Sequence, residues 1–104
     1  MYASSYLASA KGILTDNEQR VVEEVLLANP RAGDTVNGTG GVRKLRVALP
    51  GRGKRSGARV LYYFLTSQAR VYLLLAYAKN ESADISANGK RMLKQLVSLI
   101  DLEG

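Results

Sequence analysis

Seven basic residues and no acidic one lie between positions 43 and 59: Arg43, Lys44, Arg46, Arg52, Lys54, Arg55 and Arg59. Gly51, Gly53 and Gly57 are interleaved with the second half of that run. Such glycines make a loop pliable enough to bring Arg52, Lys54 and Arg55 against an extended anion. Arg59 falls where a strand begins. An arginine fork clamps two phosphate oxygens, and a lysine crowded by other cations shifts its pKa toward proton-transfer work. A second group follows at Tyr77, Lys79, Asn80 and Glu81. Tyr77 and Lys79, two apart in a strand, share a face. If the two strands pair antiparallel, Arg59 lies near both. The competing reading is a solvated hairpin tip with ordinary charges, a core Tyr77 and a strand-ending Lys79.

The chain has 15 Lys and Arg against 9 Asp and Glu, a formal charge of +6, with no histidine and no cysteine. The segregated basic stretch is the footprint of a polyanion binder. Without histidine or cysteine there is no serine or cysteine triad, no disulfide and no thiolate or imidazole metal site. Any acid or base must come from Lys, Arg, Tyr, Asp or Glu. The glycines do not form a nucleotide loop. Gly53-Lys54 is followed by Arg55 and preceded at position 48 by alanine. Gly38-x-Gly40 reaches Arg43, and Gly51-x-Gly53 reaches Ser56, where a dinucleotide fingerprint needs glycine. No cofactor is expected. Met1 to Lys11 has neither a basic n-region nor a long apolar core, and no stretch is apolar enough to span a bilayer. The expectation is a cytoplasmic protein without a membrane partner.

These residues need elements to hold them. A length of 104 residues fits one domain, 1–104. Residues 1–14 leave strand and helix both open. Thr15 with Glu18 forms a capping box, and Val21, Val22, Val25 and Leu26 follow at helical spacing up to Asn29-Pro30. A helix is expected over about 15–28, its apolar stripe in the core. Residues 30–41, rich in glycine, read as a loop. Strands are expected at 42–49, 58–65 and 70–78, with Thr66 to Ala69 a tight connection. Arg43, Leu45, Val47 and Leu49 share one face of the first strand; Lys44, Arg46 and Ala48 share the other. The third strand is almost continuously apolar and is expected at the centre of the sheet. A last helix runs from about 86 to 102 on a stripe of Met92, Leu93, Leu96, Val97 and Ile100, with Gly89 weakening its first turn. Helix, three antiparallel strands and helix make an α+β domain.

Three ordered blocks resemble the RelE/ParE superfamily, closest to its HigB-like branch. They are Gly38-Thr39-Gly40-Gly41-Val42-Arg43-Lys44-Leu45-Arg46, then Gly51 to Tyr63, then Tyr72 to Glu81. The resemblance implies a compact RelE-like α+β fold with a curved antiparallel sheet. It implies the toxin of a type II toxin–antitoxin system that cleaves messenger RNA in the ribosomal A site. It places Lys54, Arg59, Lys79 and Tyr77 as catalytic residues, with Arg43, Lys44, Arg46, Arg52, Arg55 and Asn80 on the RNA. The attacking group would be the RNA 2′-OH, and no metal would be required. The implied partners are messenger RNA, the ribosome and an antitoxin, either an acidic disordered segment or a small helix-turn-helix protein. Two other readings stay open: a ParE-type inhibitor of DNA gyrase, and a non-catalytic RNA-binding module. Family members open with a β-strand, which residues 1–14 do not plainly show.

Overall fold

A computed structural model describes residues 1–48, 57–78 and 85–103. The elements in order are α1 (Ser4–Ala10), α2 (Asp16–Ala28), β1 (Asp34–Thr35), β2 (Arg43–Ala48), β3 (Gly57–Leu65), β4 (Arg70–Ala78) and α3 (Ala87–Glu103). The fold is α+β, with helices at both ends of the chain and a sheet whose four strands pair antiparallel in the order β1-β2-β3-β4.

The capping box opens α2 as expected. Thr15 Oγ1 accepts from the Glu18 N–H at 3.2 Å, and the Glu18 carboxylate accepts from the Thr15 N–H at 2.8 Å. Asn29 leaves the helix in extended conformation ahead of Pro30. The stripe divides by depth: Val22 and Leu26 are buried, whereas Val21 and Val25 remain exposed. On α3, Leu93 and Val97 are buried and Met92 is exposed, so the inward stripe is narrower than the spacing suggests. Ser86 caps α3 by accepting the Gly89 N–H at 3.0 Å. A Cβ on Gly89 would stand 3.0 Å from Ile85 Cγ2, so glycine is the residue that fits this turn.

The loop expected over 30–41 contains β1, whose Asp34 and Thr35 pair with Lys44 and Arg43. A two-residue strand carries no alternation and leaves no trace in the hydrophobic pattern. The remainder is held by Thr39, fully buried, whose hydroxyl donates to Val36 O at 2.7 Å and accepts from Val42 N–H at 3.1 Å.

The apolar run of β4 does not mark a central strand. The paired centre is β2 and β3; β4 is the last named strand. It is apolar because both faces are covered and its outer edge is sealed by the start of the chain. Tyr2 bridges Leu73 in parallel, with Leu73 N–H to Met1 O at 2.9 Å and Ala3 N–H to Leu73 O at 3.0 Å. Residues 1–3 thus stand where a short opening strand would, and α1 follows. On α1, Ser9 Oγ accepts from Ala76 N–H at 2.9 Å, and the Ser5 hydroxyl donates to Leu74 O.

Two cores sandwich the sheet. On one face α1 and α2 pack Tyr6, Val22 and Leu26 against Leu45, Val47, Val60, Tyr62 and Leu73. On the other, α3 packs Leu93 and Val97 against Val42, Leu61 and Leu74.

Candidate functional site

The α3 face carries apolar residues under the helix and basic ones beyond it. Register puts the latter in a row. Arg46 of β2 is the direct partner of Arg59 of β3, and Arg59 is the direct partner of Tyr77 of β4. Partners in register share a face, with Cβ atoms roughly 4.5–5.5 Å apart. All three lie at the same end of the sheet, and Lys44 is on the same face one row in, opposite Leu61.

That row depends on one irregularity. From Leu65 back to Tyr62 the β3–β4 pairs run Leu65–Arg70, Phe64–Val71, Tyr63–Tyr72 and Tyr62–Leu73. Leu74 is then an extra residue, and pairing resumes at Leu61–Leu75. Had the first register continued, Arg59 would face Ala76 and Tyr77 would point to the opposite side. The bulge at Leu74 turns Tyr77 onto the face of Arg59 and adds local twist. Its carbonyl, displaced from the ladder, is the one that accepts from Ser5.

Arg46 is exposed; Arg59 and Tyr77 are half-buried. Arg59 Nη1 donates to Ala58 O at 3.2 Å, which lays the guanidinium along its own strand. Among the described residues no ion pair neutralises Arg46 or Arg59. Two arginines directly opposite on neighbouring strands repel each other and weaken the sheet. An anion set between them turns that repulsion into a bidentate clamp. Tyr77 packs its ring against the α3-side core and adds a phenol beside the two cations.

The other expected site residues separate. Arg43 belongs to the opposite face, where its Nη1 donates to Gly33 O at 2.8 Å and Arg31 O at 3.3 Å. There it ties down the approach to β1 together with Tyr62, whose hydroxyl accepts from Gly33 N–H at 2.9 Å. Lys54, Lys79, Arg52, Arg55 and Asn80 lie outside the described residues. Sequence reasoning placed Arg46 on the RNA rather than beside Arg59; only the β2–β3 register could show that the two are partners.

Next to the row, Tyr63 fixes α3 to the sheet. Its hydroxyl donates to Asp101 at 2.7 Å. Burial, then the Asp101 hydrogen bond and charge, push the phenol up to about 12. Burial likewise raises Tyr62 and Tyr6, the latter hydrogen-bonded to Gln19.

Residues 13–102 match the family model described as the RelE toxin of the RelE/RelB toxin–antitoxin system. The chain belongs to the RelE family. The match takes in every strand, α2 and nearly all of α3, and so covers the whole Arg46–Arg59–Tyr77 row. It leaves out most of residues 1–12, the part that seals β4.

Proposed function

We propose that this protein is the toxin of a toxin–antitoxin pair and that it cleaves messenger RNA on the ribosome. The observation that carries the reading is the pair of opposed arginines with Tyr77 in line, an arrangement that costs stability unless an anion occupies it. RNA supplies both that anion and its own nucleophile. Attack of a 2′-OH on the adjacent phosphorus needs alignment, relief of phosphate charge and movement of two protons. Arg59, set on a rigid strand, grips the phosphate oxygens as they gain charge. Arg46 supports it from β2, and the Tyr77 phenol sits where it can share a proton with a phosphate or leaving oxygen. Lys54 and Lys79 are the proposed proton carriers. The half-buried setting of Arg59 strengthens its contact with a phosphate over that of a fully solvated side chain.

The test is to add purified protein to an in vitro translation reaction and map the ends of the messenger. Ends set at codon positions are expected with the wild type. Arg59→Ala is expected to lose them by about 100- to 1,000-fold, or ~2.7–4 kcal/mol of transition-state stabilisation. Circular dichroism must show an unaltered fold. Wild-type cleavage by Arg59→Ala would remove that residue from the mechanism. An intact messenger together with blocked gyrase supercoiling would replace the reading with gyrase inhibition.

A further inference from the structure

The two edges of the sheet are treated differently. The edge of β4 is sealed by residues 1–3 and α1, whereas β1 covers β2 only at Arg43 and Lys44. Val36 N–H donates to Val42 O at 2.8 Å, which makes Val36 and Val42 a hydrogen-bonded pair. Alternation along an antiparallel ladder then turns the N–H and C=O of Lys44, Arg46 and Ala48 outward, and those of Leu45 and Val47 toward β3. Lys44 meets β1. Among the described residues no backbone group meets those of Arg46 and Ala48. Beside this open edge runs a groove of about 730 Å³ between β2 and α2, walled by Val21, Val25, Leu45 and Val47. Val21 and Val25, one helical turn apart, are 52% and 38% exposed.

We propose that this edge receives an extended segment of the antitoxin as an added strand in line with β1, its side chains alternating between apolar and acidic. Each part of that description has a cause. Unpaired backbone groups on an edge call for a strand. The pleat sends every second side chain of that strand into the groove, over Val21 and Val25. The other side chains come out opposite Arg46, where a carboxylate makes a favourable cross-strand pair. A second copy of this chain is a poor occupant, because it would set one basic edge of a +6 protein against another. The proposal rests on the antitoxin partner of the preceding section and not on RNA cleavage. It also yields a mode of control. Arg46 belongs both to the open edge and to the arginine row, so an acid paired with it removes half of the clamp without covering Arg59.

Amide exchange tests this with a short blocked peptide alternating valine and glutamate, against a peptide of equal composition with the two residues in separate blocks. The alternating peptide is expected to slow exchange at Arg46 and Ala48 by about tenfold or more, leaving Leu45 and Val47, already bonded to β3, unchanged. Val25→Glu puts a carboxylate in the groove and is expected to abolish the protection while the circular dichroism spectrum and messenger cleavage stay as in the wild type. The proposal is overturned by absent protection or equal protection from the block peptide. It is also overturned by protection that rises with protein concentration alone, or that survives in folded Val25→Glu. If Val25→Glu does not fold, the two-peptide comparison on the wild type decides. Cleavage is not read in the exchange experiment, so either proposal can fail without the other.

Discussion

Arg59 and Tyr63 sit two residues apart on one face of β3, and they divide the labour of that face between chemistry and cohesion. Arg59→Lys keeps the charge and loses the fork, so it is expected to recover only part of the cleavage that Arg59→Ala loses. Tyr63 holds Asp101, and its effect is written in pH. An unfolded tyrosine titrates near about 10; in the fold this one is pushed up to about 12. The folded state therefore holds the proton more tightly. Its contribution is complete below about pH 10 and is lost as pH rises toward 12. Tyr63→Phe is expected to cost ~1 kcal/mol at neutral pH, from the lost hydrogen bond. It is also expected to flatten the loss of stability across that alkaline window, read as urea midpoints against pH. Tyr6 and Tyr62, raised as well, leave a residual slope. At this scale the sequence was partly legible. Alternation and a tight connection were enough to bring Arg59 near Tyr77. They could not show that an extra residue, Leu74, decides which face Tyr77 takes, because a bulge leaves the apolar run unbroken. Nor could they show why Gly33 is glycine. A Cβ there would stand 2.7 Å from Lys44 O and 2.9 Å from the Tyr62 ring, a crossing made by residues distant in the chain.

Among the elements, those with a local cause were the most legible. The Thr15–Glu18 box, the Asn29-Pro30 stop and the period of Val22 and Leu26 are all encoded within α2 itself. Thr15→Ala is expected to destabilise the protein by ~1 kcal/mol, read by denaturant unfolding, with the β-strands unchanged. Elements with a distant cause were illegible. β1 exists only because Lys44 and Arg43 come back to meet it. The first three residues extend only because Leu73 offers them a ladder. The apolar content of β4 was read correctly as deep burial and wrongly as a central position, since a helix and a short bridge can bury a strand as well as a sheet neighbour can.

At the scale of the molecule, the sheet is closed by contacts between its two ends in sequence. Ser9 accepts the Ala76 N–H across 67 residues. Ser9→Ala leaves that N–H unsatisfied and is expected to cost about 1–3 kcal/mol. Because α1 docks after the hairpins, the cost is expected in the unfolding limb of a chevron, with the folding limb little changed. The same order of events holds during synthesis. Residues 1–10 are made first and have no partner until β4 emerges. The arginines of β2 and β3 appear midway, but Tyr77 is the next-to-last residue of β4. A nascent chain stopped before that codon carries both arginines and no complete row. A protein that cuts messengers, its own transcript included, thereby produces inert fragments from every transcript it severs upstream of that codon.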